Sequence, residues 1–316
     1  MRSTSTAGNG RFRNQSYLRR LAGQKYLLLM CFPFMVWLIM FKYLPLWGWT
    51  MAFQRYKPGI PFFRQEWAGF KYFIQMFNDT AFWLTMRNTL AMSTLSLLFG
   101  FTLPIVLAVL LNEVRNMAFK KTIQTISYLP HFVSWVIVAS LFNKILSIDN
   151  GVFNQVLVSL KLIQQPVQWM AKPELFWWLL TSVGIWKEIG WNSIIFLAAI
   201  AGISPDLYES ATVDGASRLR KIWHITIPGI LPTVMVILIL NIGNFINTGF
   251  EAQYLMRNSL VRDYSDVIDL YILDNGIRVF NFALGTAAGI FKSVISIILI
   301  FLANGISRKT MGVKVI

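Results

Sequence analysis

The stretch YESATVDGASRLRKIWHITIP, residues 208–228, is a charged, polar segment between two long apolar runs. Helix-start signals precede it: Ser204 is a candidate N-cap, Pro205 suits the first helical position, and Asp206 complements the helix dipole. Gly215 is predicted to fall inside this helix, where glycine costs about 1 kcal/mol relative to alanine unless a bend or a close approach requires it. The segment therefore predicts a short surface helix that serves as a docking element.

The runs on either side of this segment are typical of a membrane protein. Of the 316 residues, 55% are hydrophobic and 14% are charged, with a mean hydropathy of +0.54, whereas soluble domains carry about 25% charged residues. A helix of about 20 apolar residues crosses the hydrocarbon core, and its backbone groups must be hydrogen-bonded internally. Six segments are long enough: 26–45, 89–111, 124–145, 175–203, 229–250 and 283–305. The predicted fold is an all-α membrane protein with six transmembrane helices.

Three prolines bear on the ends and shapes of these helices. Pro45 is expected to end the first span, and Pro104 to kink the second, because proline removes a backbone donor and clashes with the preceding turn. Pro130 is expected to distort the third span or to lie near its start.

The distribution of basic residues predicts the orientation. With the N-terminus inside, the cytoplasmic segments hold fifteen Lys and Arg residues against four acidic residues, and the outer loops hold ten against nine. The positive-inside rule expects this asymmetry. Both termini and the docking segment between helices four and five are then cytoplasmic. The net charge of +15 is assigned to topology and to attraction by anionic lipid, not to nucleic acid binding. The predicted organisation is a basic N-terminal segment 1–25, a six-span domain 26–305 with loop 204–228, and a C-terminal tail 306–316.

Several kinds of chemistry are absent from the sequence. There is no Gly-rich phosphate loop, no nucleophile elbow and no zinc-protease motif. Cys31 is the single cysteine, and His131 and His224 lie far apart in sequence, so neither a disulfide nor a metal centre is expected. The chain is predicted not to be an enzyme and to bind no cofactor itself.

Spaced residues in loop 204–228 resemble the coupling-loop signature of ABC importer permeases. That signature runs Glu, any residue, Ala, three residues, Gly, nine residues, Ile, any residue, an aliphatic residue and Pro. The matching positions here are Glu209, Ala211, Gly215, Ile225, Ile227 and Pro228; Ser210 replaces a second alanine of the family, and Asp214 lies in the same loop. The resemblance implies that this loop docks on a separate ATPase subunit and transmits its movement to the spans.

Other segments extend the resemblance over roughly residues 65–305. Residues 69–90 and 149–154 look like sugar-importing permeases of the maltose type, and residues 111–132 look like the branch that serves oligosaccharides and polysaccharides. The resemblance implies a bacterial cytoplasmic membrane location, a second permease that is related or identical, and two ATP-binding cassette subunits that hold ATP and Mg²⁺. It also implies an extracytoplasmic solute-binding protein and an oligosaccharide or polysaccharide cargo, for which an acidic, alginate-like polymer is attractive.

Charged residues inside the spans leave two interpretations open. Lys187 and Glu188 lie near the middle of span four, and Lys292 lies near the middle of span six. A lone charge at this depth costs about 2.5–3.5 kcal/mol on insertion scales, so each is expected to face a cavity or a partner. The residues either line the substrate pathway or form structural pairs with other helices or with a second subunit.

Three amides recur at helical spacing in span five: Asn241, Asn244 and Asn247. A row of amides suits the hydroxyl groups of sugars, but it also suits hydrogen bonds between helices, worth about 0.6 kcal/mol each. A pathway role is slightly favoured, because an importer of polar cargo needs a polar face.

Two other classes of protein fit the sequence less well. An ion-driven secondary transporter explains the Lys187–Glu188 pair but not the coupling-loop pattern, and it usually needs more spans and inverted repeats. For a membrane-embedded enzyme, His131 is the only hint, and its apolar neighbours favour a packing role.

Overall fold

The computed structural model describes residues 24–311, with side chains through residue 305. Within this part, five helices are long and apolar enough to cross a membrane: Lys25–Phe53, Thr80–Glu113, Pro173–Ala201, Arg218–Gly243 and Phe282–Gly305. A sixth crossing exists if Met117–Phe132 and Trp135–Ile145 are taken together, although these two segments are bent by 104°. The predicted all-α membrane fold is confirmed, and the orientation of the termini stays a prediction.

We number the elements in chain order. The α-helices are α1 Lys25–Leu38, α2 Lys71–Phe77, α3 Thr80–Leu95, α4 Phe101–Glu113, α5 Met117–Tyr128, α6 Trp135–Ile145, α7 Val152–Ser159, α8 Pro173–Ala201, α9 Pro205–Val213, α10 Arg218–Lys221, α11 Ile227–Gly243, α12 Phe250–Met256, α13 Arg262–Ser265, α14 Ile268–Tyr271 and α15 Phe282–Met311. The 3₁₀ segments are Leu44–Phe53, Phe62–Arg64, Leu129–Phe132 and Trp169–Ala171, and the π segments are Ile39–Tyr43, Ser96–Gly100, Ile222–Thr226 and Ile272–Ile277. Strands β1 Gln54–Arg55 and β2 Glu66–Trp67 pair antiparallel.

Residues 24–50 belong to one compact unit and residues 51–311 to another. Every residue discussed as a site below lies in the second unit. Of the predicted basic segment 1–25, only residues 24 and 25 lie within the described part. Of the predicted tail 306–316, the backbone continues α15 through Met311, and residues 312–316 lie outside the described part. The predicted division into segments stays a prediction.

Turns of π-helix accommodate three of the prolines. They are Ile39–Tyr43 before Pro45, Ser96–Gly100 before Pro104, and Ile222–Thr226 before Pro228. In each case the residue four positions before the proline lies in the π turn. The carbonyl of that residue would normally accept a hydrogen bond from the N–H that proline lacks. In a π turn, carbonyls accept from the residue five positions later instead, so the missing N–H is less disruptive there. The prediction that Pro45 ends the first span was therefore wrong, because the helical chain continues through Phe53.

The predicted span 124–145 is broken at Pro130, as the sequence led us to expect from a proline that distorts the third span. The chain passes from α5 into a 3₁₀ turn at Leu129–Phe132, becomes extended at Val133, and starts α6 afresh. Ser134 caps α6 by accepting a hydrogen bond from the Ile137 N–H. Pro130 in the 3₁₀ turn and a new N-cap four residues later together explain the break, which we call the elbow, residues 129–134.

Span five also differs from its predicted range of 229–250. The helical chain is continuous from Arg218 to Gly243 and then turns at residues 244–249. Gly243 lies so close to Ile300 of α15 that an added Cβ would be 2.7 Å from its side chain. Gly249, with φ of +85°, redirects the chain into α12. Residues 244–249 therefore lie outside the helix.

Buried apolar side chains form clusters that surround the site. One includes Val138, Phe176 and Leu180, where α6, α8 and α12 meet. Another includes Phe196 and Ile230, where α4, α8 and α11 meet. The helix α8 contributes to both clusters, so it is the central element of this unit.

Candidate functional site

The predicted docking helix is present as α9, Pro205–Val213. Pro205 occupies the first turn as expected. The Ser204 side chain does not cap the helix; its hydroxyl donates instead to Asp206 Oδ2 at 3.3 Å. The helix start was therefore correctly predicted, whereas the capping contact was not.

Gly215 lies beyond the end of α9 and not inside it, which corrects the prediction. Its φ is +73°, its N–H donates to the Thr212 carbonyl, and the Ala216 N–H donates to the Ala211 carbonyl. These two bonds define a Schellman motif, in which glycine at the left-handed position terminates a helix. The glycine is therefore required by the backbone turn that follows α9.

Two contacts join α9 to the following helix. Tyr208 Oη lies 3.0 Å from Thr226 Oγ1, and Lys221 Nζ donates to Thr212 Oγ1. Thr226 is buried, so one end of this link is anchored in the membrane domain. We call α9, the turn and residues 218–228 the docking segment, residues 205–228.

The motif residues of the docking segment differ in how far they are exposed to solvent. Exposed positions are Glu209, Ser210, Asp214, Gly215 and Pro228, whereas Ala211 and Ile225 are half-buried. Ala211, Asp214 and Ile225 line a shallow groove of about 240 Å³ together with Arg220, Lys221 and His224. The segment thus presents a carboxylate, small residues and an open groove on one compact hairpin.

A larger cavity of about 350 Å³ lies within the helical unit. It is bounded by α3, α4, α8 and α11, and is completed by Trp135 of α6, the turn after α11, and α12. Its polar lining comprises Ser93, Ser96, Thr181, Glu188, Asn192, Asn241, Asn244, Asn247, Thr248 and Gln253. Its volume falls in the range of small-ligand pockets, roughly 300–1,000 Å³.

The three asparagines line this cavity, although they do not share a helix face. Asn241 is in α11, Asn244 is the residue after its end, and Asn247 lies in the turn. Asn247 Nδ2 donates to Asn244 Oδ1 at 3.3 Å. Ser93 of α3 donates to the Phe245 carbonyl and holds the turn against the cavity. The prediction of one helical face was wrong because α11 ends at Gly243.

Gln253 and Thr248 are cavity residues that the sequence analysis missed. Gln253 is buried, and its Nε2 donates to the Thr248 carbonyl at 2.9 Å. Gln253 Oε1 and Thr248 Oγ1 have no hydrogen-bond partner within the described part of the chain. Buried polar atoms without partners are uncommon in folded proteins. The cavity wall therefore contains oxygen atoms with unused hydrogen-bonding capacity.

Among the described residues, Glu188 is the one charged side chain that lines this cavity. Its Oε2 lies 2.8 Å from His131 Nδ1, and its Oε1 lies 3.3 Å from Lys187 Nζ. Lys187 Nζ also donates a hydrogen bond to the His131 carbonyl oxygen at 2.6 Å. The predicted intramembrane pair is therefore a three-residue cluster at the elbow.

The two lysines do not line the cavity. The Lys187 side chain is buried behind it, 6% exposed, and its ammonium lies 5.6 Å from the centroid of the Trp135 ring. Lys292 of α15 pairs with Asp269 of α14. Both lysines thus have local partners in this structure, which favours the structural interpretation for them, and Glu188 is the charged candidate that reaches the cavity.

Nothing in the sequence predicts that His131 contacts Glu188 or that Lys292 contacts Asp269. His131 and Glu188 are 57 residues apart, and Lys292 and Asp269 are 23 residues apart.

Within residues 24–305, no group of three or more His, Cys, Asp and Glu side chains is arranged to hold a metal ion.

Residues 100–312 match the family described as binding-protein-dependent transport system inner membrane component. The chain belongs to this family. It is therefore a permease, and family membership decides against an ion-driven secondary transporter.

Two relatives from Bacillus subtilis (strain 168) span nearly the whole permease. Protein LplB is 44% identical over 304 residues, which cover 96% of this chain and 94% of LplB. The polygalacturonan/rhamnogalacturonan transport system permease protein YteP is 43% identical over 292 residues, covering 92% and 90%.

Solved structures extend the similarity to the fold. A bacterial ABC transporter involved in the import of the acidic polysaccharide alginate contains a chain 40% identical to this one, with a TM-score of 0.85 and coverage of 93% of this chain and 99% of that chain. A chain of a bacterial alginate ABC transporter, in complex with a periplasmic protein bound to an alginate pentasaccharide, is 39% identical with a TM-score of 0.87, covering 95% and 99%. The permease thus shares its fold with sugar ABC permeases.

Proposed function

We propose that this permease forms one half of the pathway by which an ABC importer moves oligosaccharides of an acidic, alginate-like or pectin-like polysaccharide into the cytoplasm. The observation that carries this proposal is the cavity next to α8. Its amide and hydroxyl groups suit hydrogen bonding to sugar hydroxyls, and Trp135, Phe101 and Phe196 add aromatic surface. The proposal draws on relatives named for polysaccharide transport.

The docking segment is the contact with the ATPase subunits in this proposal. Glu209 and Asp214 are exposed there, and the groove beside them is bordered by the basic residues Arg220 and Lys221. Tyr208 and Thr226 tie α9 to the start of α11, and Asn241 in the same helix lines the cavity. Movement of α9 would be transmitted along α11 to the cavity. ATP and Mg²⁺ are held by the partner ATPases and not by this chain.

The remaining partners follow from the same proposal. A second permease, related or identical, faces this one in the bacterial cytoplasmic membrane, with both termini inside. The many exposed apolar side chains of the spans, such as Leu98, Leu110 and Ile298, offer surface to that permease and to lipid. An extracytoplasmic solute-binding protein delivers the saccharide to the outer loops, as the complex of the alginate importer suggests.

The proposal is tested by purifying the tagged permease in mild detergent from its native host. We expect a second six-span protein and a Walker-motif ATPase to co-purify. After reconstitution, its solute-binding protein loaded with an acidic oligosaccharide should stimulate ATP hydrolysis and uptake. A permease that purifies alone, with no ATPase activity after co-expression of neighbouring subunits, would contradict the proposal.

A point substitution tests the role of the docking segment. Glu209→Ala is expected to reduce saccharide-stimulated ATP hydrolysis at least tenfold, because it removes an exposed carboxylate from the proposed contact. Glu174→Ala removes an exposed first-turn carboxylate from α8, at a distance in sequence from this segment, and serves as the control. Equal activity of the two variants would argue against docking through Glu209.

A further inference from the structure

The cavity offers no positive charge to an acidic cargo. Among the described residues that line it, Glu188 alone is charged, and it is negative. Lys187 and Lys292 are each paired with a carboxylate, and neither lines the cavity. A positive contact for an acidic saccharide must therefore come from another part of the chain.

We propose that Arg87 of α3 binds the carboxylate of a uronic acid unit before the saccharide reaches the cavity. With the rings of Trp177 and Tyr264 it forms what we call the arginine site. This inference rests on the proposed saccharide pathway and adds a second binding site to it. Arg87 lies two residues before the predicted second span, at the end that the orientation places outside.

Hydrogen bonds hold one edge of the Arg87 guanidinium in place. Its Nη2 donates to the Asp263 carbonyl oxygen at 2.7 Å, and Nε and Nη2 donate to Asn88 Oδ1 at 3.3 and 3.1 Å. Asn88 is buried, and its Nδ2 donates to the carbonyl oxygens of Asp263 and Asp266. The guanidinium is therefore fixed against the loop that contains α13.

Two aromatic rings lie against the same guanidinium. Its central carbon is 4.6 Å from the centroid of the Tyr264 ring and 5.5 Å from that of Trp177. The ring centroids are 5.3 Å apart, and Trp177 Nε1 donates to the Tyr264 carbonyl oxygen at 2.8 Å. Aromatic faces attract a cation without neutralising its charge. The rings thus stabilise the positive charge and leave it able to attract an anion.

Arg87 has no carboxylate partner. Within the described part of the chain, it forms no ion pair, and its Nη1 makes no hydrogen bond, whereas the arginines between α12 and α15 are each paired with aspartate: Arg257, Arg262 and Arg278. Arg87 is also exposed. Arginine donors form strong, charge-assisted hydrogen bonds with carboxylates. The free Nη1 of a fixed, exposed guanidinium is therefore suited to bind the carboxylate of a uronic acid.

The arginine site adjoins the cavity. Trp177 and Tyr264 pack against the buried cluster that includes Met92 and Leu180, and these two residues also line the cavity. Along α8, Trp177 precedes the cavity residue Thr181 by four positions, about 6 Å at the rise of an α-helix. A saccharide bound at the arginine site would therefore be about one helical turn from the cavity.

The test compares uptake of one saccharide in two charge states. The complete importer, reconstituted in vesicles, is given its solute-binding protein with a labelled oligogalacturonate or with the methyl ester of that oligosaccharide. At pH 7 only the first carries ionised carboxylates. Arg87→Gln should reduce uptake of the acid about fivefold and leave uptake of the ester unchanged, because it removes one unit charge at about 4 Å from a carboxylate in water.

Three further variants separate the charge of Arg87 from its structural contacts. Arg55→Gln removes an exposed arginine that is paired with Glu66 on the same predicted side, and as the control it should change neither uptake. Arg87→Lys keeps the positive charge, so its uptake of the acid should exceed that of Arg87→Gln. Asp263→Asn removes an exposed carboxylate from a residue whose backbone contacts Arg87, so uptake of the acid should rise relative to the ester.

The outcomes distinguish the inference from the proposed function. If the unmodified importer does not take up the acid, the proposed function fails. If Arg87→Gln takes up the acid as the unmodified importer does, or loses acid and ester uptake equally, the inference alone is overturned. If the binding protein accepts only the acid, equal losses in Arg87→Gln and Arg87→Lys would overturn it. Should Arg87→Gln fail to assemble, unchanged uptake of the acid by Asp263→Asn would overturn it equally.

Discussion

Gly215 has a φ of +73° and follows the last residue of α9 by two positions. An added Cβ at this position would meet no atom within 4 Å. Space is therefore not the reason for glycine here. The left-handed backbone is the reason, since an L-residue other than glycine loses roughly 1–2 kcal/mol in that conformation.

Gly215→Ala should therefore destabilise the turn by about 1 kcal/mol and weaken saccharide-stimulated ATP hydrolysis, because the angle between α9 and α10 depends on this residue. Gly215→Asn should lose less, since asparagine enters the left-handed region more readily. The control is Gly289→Ala in α15, where an added Cβ is also unobstructed but the backbone is helical. Stimulation of the Gly215→Ala permease equal to that of the control would contradict this role.

For the charged residues within the spans, the role of each side chain depends on which residues it contacts. Lys187 and Lys292 are near the middle of apolar helices, yet each contacts a carboxylate and neither lines the cavity. A charge buried with a partner is tolerated where an isolated charge is not. The identity of a residue and its depth in a span were insufficient to decide between these roles.

At the scale of elements, an ion network organises the chain between α12 and α15. Asp274 is near the centre: it contacts Arg257 at 2.8 Å and Arg278 at 2.9 Å, and Arg257 also contacts Asp266 at 3.2 Å. The Asp274 side chain is 12% exposed. The network joins α12 to the π turn that follows α14, in a loop predicted to lie outside the membrane.

The environment of Asp274 shifts its pKa. Burial acts to raise the pKa of Asp274, but hydrogen bonding and positive charge from Arg257, with the charges of Arg278 and Arg262, outweigh it and hold the pKa below its ordinary value. A carboxylate with a lowered folded-state pKa stabilises the fold above its unfolded pKa of about 3.9. This contribution is lost as the pH falls through the folded pKa.

Asp274→Asn should therefore lower the melting temperature at pH 7, with a loss of roughly 2 kcal/mol for hydrogen bonds to a charged group. It should also flatten the fall of the melting temperature on acidification below about pH 4, because the titrating group is gone. Thermal unfolding of the detergent-solubilised permease from pH 7 to pH 3 measures both effects. Asp263→Asn, an exposed residue of the same loop, is the control. A melting temperature that falls with pH in parallel with that of the unmodified permease would contradict the role of Asp274 in acid stability.

At the scale of the whole molecule, the predicted orientation places α5 near the cytoplasm and the loop before α15 outside. This orientation is predicted from the excess of Lys and Arg in the segments placed on the cytoplasmic side, a count taken over many residues. Exposed positions on both sides allow the orientation to be measured: Met117 at the start of α5, and Val279 before α15.

In a Cys31→Ser background, which removes the single native cysteine, Val279→Cys should react with an impermeant maleimide in intact cells. Met117→Cys should react only in inside-out vesicles. Labelling of both variants after permeabilisation is the control for access. The reverse pattern would place the docking segment outside the membrane and would exclude its contact with a cytoplasmic ATPase.

The amino-acid sequence by itself determined the helical class, the approximate positions of the spans and the pattern of the docking segment. These properties depend on sums over neighbouring residues: apolar length, helix-start signals and basic bias are all local. The tertiary structure alone decided the size of the bend at the elbow, the end of α11 at Gly243 and the contact of His131 with Glu188. An ion pair between residues far apart in sequence depends on how the helices pack, as the contact of His131 with Glu188 shows. Packing also accounts for glycine at position 243, because an added Cβ would lie 2.7 Å from the Ile300 side chain. The cavity exists only where such long-range contacts converge, and this is why its lining could be predicted only in part.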